Sequence, residues 1–134
     1  MQQSKDIEST SIEWRDTEWI ERVGGIQDRQ IALDYFSMSP FWDRHCNNEI
    51  IHMQTVYRGL RQPFERADKA LRNMIGVEFS VEHEQPPLWI IQKRFRTGPG
   101  LDQANLTAVY YILGANVYQA PTIYSVLANR LVRS

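Results

Sequence analysis

The feature that most constrains this chain is a change of hydrophobic rhythm at Gly76. Upstream, apolar residues recur at helical spacing. Ile31, Ala32, Tyr35 and Phe36 share one face of a helix predicted from Asp28, a suitable N-cap, to about Ser37. Pro40 ends it, because the proline ring disfavours helical backbone at Ser39. A compact turn follows, Ser39-Pro40-Phe41-Trp42-Asp43-Arg44. Asn47 or Asn48 then caps a second helix with the stripe Ile50, Met53, Tyr57 and Leu60. Pro63 opens a third, with Phe64, Ala67, Leu71 and Ile75 facing inward and Gly76 as its stop.

Downstream the period falls to two. Val77, Phe79, Val81 and His83 alternate with Glu78, Ser80, Glu82 and Glu84, which predicts a strand with its acids in water. Gln85-Pro86-Pro87 makes a turn, and Leu88 to Phe95 a second strand. After a loop to about Gln103, Ala108 to Leu113 is apolar on both faces and so central. Gly114-Ala115-Asn116 turns into a short strand, Val117 to Gln119. Pro121-Thr122 opens a last helix with Ile123, Val126, Leu127 and Leu131 inward. The expected fold class is α+β: an antiparallel four-stranded meander flanked by helices, in the order α-α-α-β-β-β-β-α.

At 134 residues, 43% of them hydrophobic, the chain has the size and core material of one domain. We expect residues 12–134 to form it, with an arm over 12–26 and a disordered stretch over 1–11. The net charge of −1 predicts no polyanion partner. Its distribution is uneven: residues 1–34 carry eight acids and four bases, the remainder eight acids and eleven bases. Trp14 and Trp19 sit in that acidic arm, outside any regular element, so the arm is expected to dock by its tryptophans, with a basic groove as the receiving surface. Cys46 is the only cysteine, no apolar run approaches the roughly 20 residues of a membrane span, and no signal sequence opens the chain. The expectation is a soluble intracellular protein.

Little in the sequence points to chemistry. His45, Cys46 and His52 lack a fourth ligand at zinc spacing, so neither a metal nor a cofactor is expected. No glycine loop cradles a phosphate, and the acids pair into no catalytic set. Lys93, Arg94 and Arg96 end the second strand near Tyr110, Tyr111 and Tyr118, a basic-aromatic arrangement found in nucleic-acid-binding modules. Interleaved Glu65, Asp68, Glu82 and Glu84 argue against that use, and direct nucleic-acid binding is not the favoured reading.

One run of motifs is more specific. Asp34 to Arg44 (DYFSMSPFWDR), followed by Asn47-Asn48-Glu49 and Met53-Gln54, resembles the signature of the Mediator complex subunit 6 family. Trp14-Arg15-Asp16 with Trp19 is similar to its N-terminal signature. Met74-Ile75-Gly76-Val77-Glu78-Phe79 and Gln85 to Ile91 resemble its central strands. Tyr110 to Leu113 and Val117 to Pro121 resemble its closing hairpin, and Ser125-Val126-Leu127 with Arg130-Leu131 its last helix. Trp42 stands where tyrosine is expected, Cys46 where a small hydroxyl residue is, and Thr122 where an acid is. The resemblance implies a non-enzymatic, nuclear subunit of the Mediator head module that couples transcriptional regulators to RNA polymerase II through protein contacts. The implied partners are other head-module subunits and RNA polymerase II, including its C-terminal tail. Family members typically continue into a C-terminal region that helps tie the protein to neighbours, whereas this sequence stops at Ser134. Aromatic and paired polar residues mark the candidate partner surface: Trp14, Arg15, Asp16, Trp19, Phe41, Trp42, Asp43, Arg44, Asn47, Asn48, Lys93, Arg94 and Arg96.

Overall fold

The computed structural model of the chain describes residues 13–57 and 64–121. The stretch 1–11, Arg58, Leu60, Arg61 and Pro63, and the expected last helix lie outside them. Within them the order is β1 (Trp14–Arg15), α1 (Thr17–Val23), α2 (Arg29–Phe36), α3 (Asn47–Tyr57), α4 (Phe64–Leu71), β2 (Gly76–Gln85), β3 (Leu88–Arg96), β4 (Ala104–Leu113) and β5 (Asn116–Gln119). The strands form one antiparallel sheet in the order β1-β5-β4-β3-β2. The α+β class and the meander are as expected. The fifth strand is a finding: the arm is regular, adding β1 beside β5 through Trp14↔Val117 and Arg15↔Asn116 before turning into α1. Two residues are too few to show a period, so this strand left no mark in the sequence.

The core lies on one face of the sheet. Ala32, Tyr35 and Phe36 of α2 meet Phe79 and Val81 of β2, Trp89 and Ile91 of β3, Tyr110 and Ile112 of β4, and Val117 of β5. This is the alternation that period two demands. Asp28 caps α2 as expected, accepting from the Ile31 N–H at 2.9 Å.

Three expectations fail, each for a physical reason. First, Asn47 and Asn48 do not cap α3; they begin it and turn inward. Asn47 Nδ2 donates to the Met74 and Ile75 carbonyls, each at 3.2 Å. Asn48 donates to the Phe79 carbonyl at 2.9 Å and accepts from the Phe79 N–H at 2.8 Å. These bonds set the rotation of α3, so Ile51 is buried while Ile50 and Met53 face water. Second, α4 ends at Leu71 in tight turns, leaving Ile75 exposed, and Gly76 starts β2 at φ +128 rather than stopping a helix. Third, the acids of β2 are not all wet. Glu78 is fully buried and Ser80 nearly so. β4 also starts earlier than expected, at Ala104, because the Thr97 N–H donates to the Gln103 carbonyl at 2.7 Å and closes the loop.

Candidate functional site

Four groups of side chains could carry function. The first seats the arm. Tyr35 is fully buried, yet its hydroxyl donates to the Ala115 carbonyl and accepts from the Asp16 N–H, both at 2.6 Å. Trp14 and Trp19 lie on its ring, with centroids 4.9 and 5.5 Å away. Burial pushes the phenol pKa up, so it stays a neutral donor. The Asp16 carboxylate caps α1 by accepting from the Trp19 N–H. None of Glu13, Asp16, Glu18 or Glu21 forms an ion pair among the described residues. The arm therefore docks by rings and hydrogen bonds on its own domain, where a basic groove was expected.

The second is the turn between α2 and α3. Phe41 packs on Phe36 and Tyr110, and Trp42 stacks on Phe79 at 4.6 Å while donating its Nε1 to Glu49 at 3.2 Å. Asp43 accepts from the His45 N–H at 2.8 Å and its carbonyl from the Cys46 N–H. Arg44 is exposed. Most of this signature thus shapes the interior. Cys46 is buried and His45 points to solvent, so the two diverge. Burial raises the Cys46 thiol to about 11, which keeps it protonated and a poor nucleophile at neutral pH.

The third group answers for the basic cluster. Glu78 is gripped by Arg96 at 2.6 and 3.1 Å and by Arg94 at 2.7 Å; Arg94 also reaches Glu82 at 2.9 Å. Arg96 further donates to the Gly98 and Gly100 carbonyls. Its hydrogen bonds to Glu78 strengthen the charged guanidinium. Lys93 lies over the Phe79 ring. Arg94 and Arg96 are committed inside the protein rather than presented as a phosphate-binding stripe.

The fourth was invisible in the sequence: a cleft of about 510 Å³ between α2, α3 and α4. Ile51, Leu71 and Phe79 contribute its apolar lining, and Trp19 and Trp42 its aromatic walls. Asp34, Glu49 and Asp68 add three carboxylates, and no Lys or Arg is among its described lining residues. It forms because α3 is rotated by its asparagines, which sets Val56 at the rim beside exposed Met38. Among the described residues, no helix is long and apolar enough to cross a membrane.

Known proteins resemble this chain in sequence and in fold. A family model described as MED6 mediator sub complex component matches residues 12–134. Two curated relatives are both named Mediator of RNA polymerase II transcription subunit 6. The one from Debaryomyces hansenii is 39% identical over 127 residues, covering 92% of this chain and 48% of the relative. The one from Schizosaccharomyces pombe is 35% identical over 129 residues, covering 96% and 57%. The chain spans about half the length of the curated relatives it matches. The solved S. pombe Mediator subunit Med6 matches with a TM-score of 0.79 at 36% identity, over 92% of this chain and 88% of that one. A chain in the structure of the S. pombe Mediator head module matches with a TM-score of 0.67 at 34% identity, over 92% and 79%.

Proposed function

The chain belongs to the Mediator subunit 6 family, and from that premise we propose that it is a non-enzymatic, protein-binding subunit of the Mediator head module. In this reading it works in the nucleus, without a cofactor. Its partners are other head-module subunits and RNA polymerase II with its C-terminal tail, and it helps couple transcriptional regulators to that polymerase. The observation that carries the reading is the match to a chain within the head-module structure. The chemistry supports it. The lone thiol is buried and protonated. The basic pair of β3 is neutralised by Glu78 and Glu82. What the molecule offers outward is shape, apolar surface and scattered charge.

The candidate residues divide by what they touch. Phe41, Trp42, Asn47, Asn48 and the arginines of β3 hold the scaffold. Trp14, Asp16 and Trp19 seat the arm, leaving their outer edges half-exposed. Exposed Arg15 and Arg44 are the members free to meet a partner's carboxylates. The test is co-expression of the chain with head-module subunits from its own source. Subunits should co-purify with it. Arg15→Glu with Arg44→Glu should lower their recovery while leaving the thermal melt unchanged. A folded chain that recovers no head-module subunit would sink the proposal.

A further inference from the structure

We propose that the groove between α2, α3 and α4 is a docking site for a basic amphipathic helix of a partner protein. The inference rests on reading the chain as an assembly subunit and goes further, to a place and a chemistry.

The groove has the size of a binding pocket rather than a packing defect: about 510 Å³, within the usual range for ligand clefts. Its interior is apolar and aromatic, from Ile51, Leu71, Phe79, Trp19 and Trp42. It also continues outward. Val56 is exposed on α3 and Met38 just past the end of α2, and both line the groove. A groove walled by α2, α3 and α4 suits the interlocking of another helix.

Its titratable lining is three carboxylates and the His52 imidazole. Asp34 accepts from the neutral amide of Gln30 at 2.8 Å, and Glu49 from the neutral indole of Trp42 at 3.2 Å. Asp68 forms no ion pair among the described residues. Asp68 feels the field of Arg96 and shares a neighbouring cleft with Arg29, Lys69 and Arg72, so Asp34 and Glu49 are the groove's carboxylates with no cation paired to them among the described residues. An apolar floor rimmed by carboxylates complements leucines flanked by lysine or arginine.

A bound strand is disfavoured at the middle of this groove. The nearest sheet edge is β2, and there Asn48 already occupies both the N–H and the carbonyl of Phe79. Asn48 itself lines the groove, so a peptide lying in it meets a β2 edge already taken at Phe79. A helix needs no such ladder, because its own backbone is satisfied internally.

The experiment uses a fluorescein-labelled, five-turn Leu/Lys amphipathic helix as probe, with a Leu/Glu helix of the same pattern as control. Anisotropy is read against the chain at near-physiological salt. The Leu/Lys helix should bind and the Leu/Glu helix should not. Asp34→Asn with Asp68→Asn removes two charges while keeping shape, and should weaken binding about tenfold with an unchanged melt. Val56→Ser, an exposed change, should weaken it as well. Equal binding of both helices, or indifference to either variant, overturns the proposal. Self-association abolished by Val56→Ser would make the groove an interface between copies. Binding that appears only after removal of residues 122–134 would make it a seat for the chain's own end. Each overturns a partner helix. If head-module subunits co-purify but the probe does not bind, the groove fails and the assembly reading stands. If the probe binds but no subunit co-purifies, the groove stands and the assembly reading fails.

Discussion

Tyr35→Phe should cost about 2 kcal/mol, more than the loss of one hydroxyl usually does. The substitution keeps the ring, so the contacts to Trp14 and Trp19 and the packing volume survive. What it removes is one oxygen that satisfies two backbone groups of different elements, the Asp16 N–H and the Ala115 carbonyl, each at 2.6 Å. A typical hydrogen bond contributes about 1 kcal/mol net, and a buried group left unsatisfied costs roughly 1–3 kcal/mol. Asp16 and Ala115 are half-buried, so water recovers part of that loss. Two partly rehydrated orphans give the figure of about 2 kcal/mol. With a urea slope of roughly 1–3 kcal/mol per molar, the midpoint should fall by about 1 M. Tryptophan fluorescence should report it first, because Trp14 and Trp19 sit on the altered ring, whereas circular dichroism follows the whole sheet. Tyr118→Phe is the control, since Tyr118 stacks on Tyr111 on the sheet face away from the core and should shift the midpoint little. A Tyr35→Phe protein within about 0.5 kcal/mol of the parent would refute the idea that this hydroxyl seats the arm.

Glu78→Gln should destabilise by roughly 3–5 kcal/mol, since it strands Arg96 and Arg94 without their buried anion; equilibrium unfolding checks this, and a loss below about 1 kcal/mol would contradict it. Asn48→Ala leaves the Phe79 N–H and carbonyl unpaired and should cost roughly 1–3 kcal/mol, exceeding the typical ~1 kcal/mol of a lost helix cap; urea midpoints of Asn48→Ala and Asn48→Asp decide, the latter keeping only the acceptor. The Cys46 thiol rises from its ordinary 9.0 to about 11 through burial, so below pH 9 both states are protonated and its contribution is fully present. Between pH 9 and 11 the unfolded chain releases that proton first, and about 2–3 kcal/mol should be lost as pH rises through this window. Cys46→Ala should flatten that alkaline slope in a series of melts.

The elements with a long, uninterrupted period were legible. α2 showed its face and its cap, and β2 to β4 showed their alternation and turns, because burial on one side leaves a regular trace in residue type. Where the trace misled, a local device had replaced the rule. Glu78 reads as a wet residue by alternation, and it does alternate with Phe79. Strand pairing, however, sets it opposite Arg94 and within reach of Arg96, and a cross-strand pair leaves no mark in the spacing of either strand. Periodicity places the α3 stripe through Ile50 and Met53, because apolar residues usually set the buried face. Here two asparagines set it, through backbone groups of Met74, Ile75 and Phe79 that lie 27 to 31 residues away. The aromatic signature from Asp34 to Trp42 was visible as a cluster, but whether Phe41 and Trp42 faced in or out depended on β2 and β4, and long-range contacts leave no local periodicity. The groove is a product of three helices at once and so had no signal in any one of them.

The pairing of β1 with β5 joins nearly the first and the last described residues of the domain, Trp14 to Val117. On the ribosome the arm is therefore made early and must wait for its partner strand. The hairpins β2–β3, β3–β4 and β4–β5 join sequence neighbours and can close at once, whereas β1 must close a loop of about a hundred residues. The arm's seat is completed late, because the Ala115 carbonyl that anchors Tyr35 lies in the β4–β5 turn. During synthesis, Trp14 and Trp19 are thus uncovered nascent-chain surface, of the kind that chaperones hold. Moving residues 13–23 to follow β5 by circular permutation would make that closure local, and should speed the last folding step without changing a contact in the finished fold.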